Sequence, residues 1–362
     1  MPKYREEVDA LKPYEVGRRI EDAARELGLD PKSIVKLTAN ESPEGPFPGV
    51  VEAATAALVS SNRYPDNDLW ELSNALAAEL GVNRANLAFG NGTVALISDM
   101  LSAVGSTSSN VVYAWPSFVM YRFAAIWAGM DYVEVPLNDR FEFDLDALGA
   151  AVDANTRCVI VCNPNNPTGT IKSAAEIKHF IDDISEDVLV IVDEAYHDYV
   201  EDPRYQTVIP EAVERENLLV LRTFSKIYSL AAHRVGYALG HPETISVLRK
   251  MQQPMTVNTV GQAAALASLG QPDEVNRRSN ANAAARHHLV GALAERGLTQ
   301  AESHTNFIFF KMPGEDSRAV SDRFTELGVI LRPIAGGWVR VTVGSPNENR
   351  TFVSALDHIL AT

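Results

Sequence analysis

The chain reads as an α/β protein in two parts: a large unit around a mostly parallel seven-stranded sheet, and a smaller α+β unit after it. Two patterns carry that reading. From about Asn62 to Gly240, short apolar runs alternate with amphipathic stretches, the rhythm of strand–helix–strand units. Beyond about Pro242 the helical stretches lengthen, and three strand-like runs then precede a closing helix.

The candidate strands of the large sheet are "NLAF", "NVVYA", "YVEVP", "CVIVCN", "VLVIVDE", "NLLVLR" and "VGYALG". Their branched aliphatic content suits strands buried on both faces. Helices fill the gaps between them. In "SAAEIKHFIDDI", Ser173 and Glu176 have capping-box spacing, and "DNDLWELSNALAAELG" ends on a glycine stop. The smaller unit offers "NFIFFKM", "VILRP" and "WVRVTVG" as strands. Ahead of both units, "RRIEDAARELG" predicts a helix and "NESPEGPFP" a loop. The expected division is an N-terminal segment, 1–39, lying on the small domain or over the cleft, then a large domain, 40–245, and a small domain, 246–362.

Composition excludes several function classes. With 46% hydrophobic and 22% charged residues among 362, the chain has enough apolar surface for a large core. A net charge of -15 works against nucleic acid and anionic membrane surfaces, although small anions still bind where arginines converge. No stretch has a secretory or membrane-spanning pattern. Cys158 and Cys162 stand four apart on one candidate strand, too far to bridge, which fits a reducing cytoplasm. The histidines are scattered, and His287 and His288 diverge on a helix, so no metal site is expected.

Open α/β sheets bind ligands at the carboxyl ends of their strands, and polar residues cluster there. "GNGT" follows "LAF" and opens a helix; "CNPNNPTG" follows the strand at Val159; Asp193 closes "VLVIVD"; Lys226 comes just past "NLLVLR". Taken singly these are a turn, a loop, a cap and a solvated lysine. Taken in order, "GNGT", "PSF", "NPNNPTG", "DEAY", "RTFSK" with an arginine eight residues on, then "NFIFF" and "RVTVG" resemble the fold-type-I pyridoxal-phosphate aminotransferases. The resemblance spans nearly the whole chain. Within that family it is similar to the histidinol-phosphate aminotransferase branch, and "RPIAGGWVR" and "NRYPDN" look most like its aromatic amino acid (phenylalanine type) members.

The resemblance implies a role for each motif, and the chemistry explains why each residue type is needed. Lys226 is the amine that condenses with the cofactor aldehyde and later moves a proton. Asp193 keeps the pyridine nitrogen protonated. Asn166 and Tyr196 serve the ring's phenolic oxygen, and Phe118 stacks on the ring. Gly92, Thr93, Val94, Ser225 and Arg234 surround the phosphate at a helix start, with Val94 contributing backbone only. Tyr64 resembles a residue that reaches the phosphate from a neighbouring subunit, which implies a homodimer. Arg340 resembles the carboxylate-binding arginine, and Arg332, Tyr14 and Asn40 complete the substrate pocket.

The implied activity is transfer of the amino group of phenylalanine, tyrosine or tryptophan to 2-oxoglutarate by a ping-pong mechanism. Its partners are then small-molecule substrates, amino acids and 2-oxo acids. Histidinol-phosphate transamination is the alternative; threonine-phosphate decarboxylation and a non-catalytic pyridoxal-phosphate-binding protein are more remote ones. The chain departs from the family at Ser229 and Ala232, where glycines are usual, and at His233, where leucine is usual.

Overall fold

The computed structural model describes residues 3–14, 17–314 and 316–361. Its large sheet contains seven strands: β1 (Leu87–Asn91), β2 (Asn110–Trp115), β3 (Asp131–Pro136), β4 (Thr156–Cys162), β5 (Leu189–Asp193), β6 (Leu218–Thr223) and β7 (Val235–Gly240). All seven coincide with the expected runs to within two residues at either end. Their order is β1-β7-β6-β5-β4-β2-β3, with β7 antiparallel to both neighbours and every other pair parallel. The carboxyl ends of β4, β5 and β6 therefore lie side by side at the centre of one sheet edge.

Burial on both faces accounts for the unbroken apolar runs. Val190 and Val192 of β5 point into one hydrophobic layer, while Leu189 and Ile191 point into the other. The helices between strands start where the residues dictate. Ser173 accepts from the Glu176 amide, and the Glu176 carboxylate accepts from the Ser173 amide at 2.8 Å, so the capping box forms. The helix Trp70–Leu80 begins four residues later than its sequence pattern, because the Asp66 carboxylate accepts from the Trp70 amide at 2.7 Å and closes a turn first. Gly81, at φ +67, stops it.

A second, antiparallel sheet consists of β8 (Thr299–Gln300), β9 (Phe307–Lys311), β10 (Arg332–Ala335) and β11 (Trp338–Thr342), in the order β10-β11-β9-β8. The run "VILRP" is not one strand. Val329–Ile330 pairs in parallel with Val35–Lys36 of the N-terminal segment, and the chain bends at Leu331 before β10. A single apolar run hides such a break because both halves are buried by different partners. Gly336 and Gly337, both at positive φ, make the two-residue turn joining β10 to β11.

The alternation along β11 turns Val339 and Val341 into the core against the helices Pro272–Glu295, Ser317–Glu326 and Pro346–Ala361. Arg340 lies between those valines, so the period of two sends it to the opposite face. On that face the two sheets enclose a cleft.

Candidate active site

The cleft is a cavity of about 570 Å³ lined by residues from three parts of the chain: 14–41, the β-strand ends of the large sheet, and β10–β11. Lys226, Asp193, Tyr196, Asn166, Phe118, Gly92, Thr93, Val94, Ser225, Arg234, Arg340, Arg332, Tyr14 and Asn40 all border it. Tyr64 does not; it is 84% exposed on the outside of its own chain.

Asp193 ends β5 and is buried. Its carboxylate accepts from the Tyr121 hydroxyl at 2.8 Å and from the Ala195 amide at 3.1 Å. Burial pushes its pKa up to about 6 despite those donors, because no cation is hydrogen-bonded to it among the described residues. A carboxylate held in that state fits a protonated heterocycle placed against it. Tyr121 carried no sequence signal; its side chain meets Asp193 because the helix Met120–Ala128 packs against β2 and β3 in the same hydrophobic layer as β5.

Lys226 follows β6 on a turn, half-buried, with Nζ donating to the Ala39 carbonyl at 3.0 Å and lying 5.6 Å from the Tyr196 ring centre. Desolvation by the cavity walls, then the positive charges of Arg340 and Arg234, push its pKa down to about 7, against the opposing pull of Glu41 and Asp193. Much of this amine is therefore a free base at neutral pH, as a nucleophile requires.

A chain of hydrogen bonds links Asn40, Tyr196, Asn166 and Arg340. Asn40 Nδ2 donates to the Tyr196 hydroxyl at 2.9 Å, and Asn166 Nδ2 donates to the same oxygen at 3.4 Å. Arg340 donates from Nη1 to Asn166 Oδ1 and from Nη2 to the Thr38 carbonyl. Its Nε is buried without a partner among the described residues, and burial pushes its pKa down to about 10. Arg332 stands directly opposite Arg340 in the β10–β11 register, with its guanidinium 5.6 Å from the Tyr14 ring centre. Like charges paired across strands repel unless an anion lies between them. Arg332 is on the sheet edge and also borders the cavity.

The helix Thr93–Val104 starts at the cavity. Gly92 caps it with φ +76 and no side-chain acceptor, leaving the first-turn amides directed outward. A Cβ on Gly92 would sit 2.3 Å from Arg234 Nη2, so only glycine lets that arginine close over the helix start. The Ser225 amide donates to Thr223 Oγ1 at 3.0 Å, and the Ser225 hydroxyl accepts from the same Thr223 oxygen at 2.9 Å. Amides, a hydroxyl and a guanidinium together make a donor set for a phosphate dianion.

Phe118 packs edge-on against Tyr121 at 5.6 Å, on the same side as Trp115. Thr168 is not at the cavity; it accepts from Asn165 at 3.0 Å and holds the loop after β4 together. His233 also lies away from it, its carbonyl accepting from Asn258 at 3.1 Å. Ser229 takes φ +59, the conformation of the glycine that the family resemblance expects there. Sequence reasoning missed the buried Arg222–Glu194 pair, 2.8 Å apart, which ties β6 to the residue after Asp193. Among the described residues, no cluster of three metal-ligating side chains occurs and no helix is long and apolar enough to cross a membrane.

This sheet order, lysine turn and anion-binding helix start define an aminotransferase fold of type I. The family pattern "Aminotransferase class I and II" matches residues 32–356, and the chain belongs to that family. It is 41% identical over 353 residues to an aromatic amino acid aminotransferase of Thermobifida fusca, covering 98% of this chain and 96% of that one. It is 40% identical over 366 residues to a histidinol-phosphate aminotransferase of Moorella thermoacetica, covering 100% and 94%. Among solved structures, a histidinol-phosphate aminotransferase from Sinorhizobium meliloti in complex with pyridoxal-5'-phosphate superposes with a TM-score of 0.91 at 28% identity, covering 100% and 98%.

Proposed function

We propose that the chain transfers the amino group of an aromatic amino acid to 2-oxoglutarate, using pyridoxal phosphate held in the cavity. The carrying observation is the wall beyond Arg340: Trp115, Phe118, Tyr14 and Ile334 offer apolar and aromatic surface to a substrate side chain whose carboxylate meets the arginine. The aromatic amino acid aminotransferases of Thermobifida fusca and Streptomyces coelicolor, at 41% and 39% identity, support the same reading.

Lys226 would hold the cofactor covalently, Asp193 would pair with its ring nitrogen, and Asn166 and Tyr196 would donate to its ring oxygen. Phe118 would pack on the ring. Gly92, Thr93, Val94, Ser225 and Arg234 would take the phosphate, joined by Tyr64 from a second copy of the chain. When bound, pyridoxal phosphate supplies an electron sink for the pair left on the substrate Cα. Arg340, and Arg332 opposite it, hold the substrate carboxylate so that the Cα proton points at Lys226 Nζ; once the substrate amine has taken the lysine's place and set Nζ free, the freed lysine amine would accept the proton. Asn40 and Tyr14 close the cleft from the N-terminal side.

A homodimer follows from the same assignment. It is supported by the exposed apolar side chains Val51, Leu58, Val59, Tyr64 and Trp70, which a second copy would cover. A cytoplasmic location is supported by the two free, buried cysteines.

Histidinol phosphate is the second reading, favoured by the facing Arg332 and Arg340, which also suit a dianion. A half-reaction separates the two. The holoenzyme is mixed with phenylalanine, tyrosine, histidinol phosphate or glutamate in turn, and loss of the visible absorbance of the lysine–cofactor adduct is followed. Fast loss with phenylalanine and tyrosine is expected; fast loss with histidinol phosphate alone overturns the proposal.

A further inference from the structure

We infer that Arg278, acting through the Ser229 hydroxyl, is a positioning residue that fixes the turn presenting Lys226 to the cavity. The inference rests on the proposed role of Lys226 as the cofactor-binding amine.

Ser229 lies three residues beyond Lys226, and its amide closes the turn onto the Lys226 carbonyl at 3.0 Å. Its φ of +59 lies in the left-handed region, which a side chain enters against steric resistance, so another contact has to hold it there. That contact comes from another part of the fold. Arg278, on the helix Pro272–Glu295 and only 6% exposed, donates from Nη1 to Ser229 Oγ at 2.5 Å.

The rest of the guanidinium is also committed. Nη2 donates to the Gly45 carbonyl at 2.9 Å, Nε donates to Glu274 Oε1 at 2.8 Å, and the plane lies 4.5 Å from the Phe47 ring centre. Glu274, itself held well below its ordinary range at about 2 by Arg277 and Arg278, keeps the charge balanced. Phe47 packs on Tyr228 at 5.3 Å, within the same turn. One buried cation therefore joins the lysine turn, the loop around Gly45 and the long helix. The segment between Ala39 and Phe47 is gripped at both ends, by Lys226 Nζ on the Ala39 carbonyl and by Arg278 on the Gly45 carbonyl. A fork with three directed donors fixes orientation as well as distance, which a lysine at 278 would not do.

The variants are Arg278→Gln, Ser229→Ala, Ser229→Gly and the double variant Ser229→Ala/Arg278→Gln. Ser229→Gly keeps the turn's backbone free of strain while removing the hydroxyl, so it separates conformation from contact. Four readings are taken: kcat and KM in the half-reaction, the pH titration of the visible adduct band, the pH midpoint of Lys226 labelling by an amine reagent in cofactor-free protein, and the thermal midpoint. Arg278→Gln, Ser229→Ala and Ser229→Gly are each expected to lower kcat by about tenfold with KM within about twofold. They also move the Lys226 labelling midpoint upward, towards an ordinary lysine. The double variant is no worse than Arg278→Gln alone.

The inference is overturned if Ser229→Gly behaves as wild type, if the single effects multiply in the double variant, or if Arg278→Gln lowers only the thermal midpoint. Should Arg278→Gln fail to fold, the two Ser229 variants decide alone. Borohydride reduction of the wild-type holoenzyme keeps the two readings apart. Failure to trap the cofactor on Lys226 removes the functional proposal, whereas trapping with variants indistinguishable from wild type removes only the role of Arg278.

Discussion

Replacing Asp193 by asparagine is expected to strengthen the cofactor-free fold while disabling the loaded enzyme. A carboxyl that ionises near pH 6 when folded and near 3.8 when unfolded is resisted by the fold wherever it is charged. Below about pH 3 both states are protonated and the group has no effect. As pH rises towards 6 the folded state holds its proton longer, so wild-type stability falls through that window and then levels off. The accumulated loss is about 3 kcal/mol above pH 7 and roughly half that at pH 5.

Asparagine removes this loss but offers one acceptor oxygen where the Tyr121 hydroxyl and the Ala195 amide now find two. The mismatch costs about 1 kcal/mol. The net gain is about 2 kcal/mol at pH 8 and only a fraction of that at pH 5. For a chain of this length, unfolding entropy near 2.1 cal/mol/K per residue converts the gain at pH 8 to a rise of roughly 2–3 °C in thermal midpoint. Scanning calorimetry of cofactor-free wild type and Asp193→Asn at pH 5 and pH 8 measures it. With cofactor bound the order reverses, and the half-reaction slows by ~100-fold or more because the ring nitrogen loses its counter-charge. A variant no more stable than wild type at pH 8, or equally stabilised at both pH values, would falsify the account of Asp193 as a buried carboxylate in want of a cation.

Three further outcomes are expected. With Lys226 near 7, the rate at which cofactor-free protein takes up pyridoxal phosphate rises with pH and levels off above about pH 8, whereas an ordinary lysine would keep the rate rising towards pH 10; stopped-flow absorbance distinguishes the two. Arg340→Lys keeps the charge but loses the fork, so KM for the amino acid rises by about 10–100-fold while adduct formation on Lys226 is retained; an unchanged KM removes Arg340 from the carboxylate site. Mixed dimers of Lys226→Ala and Tyr64→Ala chains recover one active site per dimer, because the Tyr64→Ala chain keeps its lysine and borrows the tyrosine; subunit exchange followed by assay gives no recovery if Tyr64 acts only within its own chain.

The large sheet was legible because each strand is a local statement. Leu189 to Val192 needs apolar side chains in both directions, and that need writes an unbroken run regardless of which strands lie alongside. The residues at the strand ends were legible for a related reason: Asp193 and Lys226 are where an open sheet must expose its carboxyl edge. "VILRP" failed as one strand because Leu331 is buried like its neighbours, and burial alone does not say that two sheets share the run.

Sequence by itself therefore determined the α/β class and the strand ends, which depend on neighbours a few residues away, and the order of its motifs pointed to Ser225 and Arg234 as companions of Gly92. Tertiary structure alone decided that Tyr121 meets Asp193 across 72 residues, that Arg278 meets Ser229 across 49, and that Arg332 lies opposite Arg340 through a tight glycine turn. Those contacts leave no mark on spacing or periodicity, because a side chain's partner is set by how helices and sheets pack, and packing brings together residues whose separation along the chain carries no information about their distance in space.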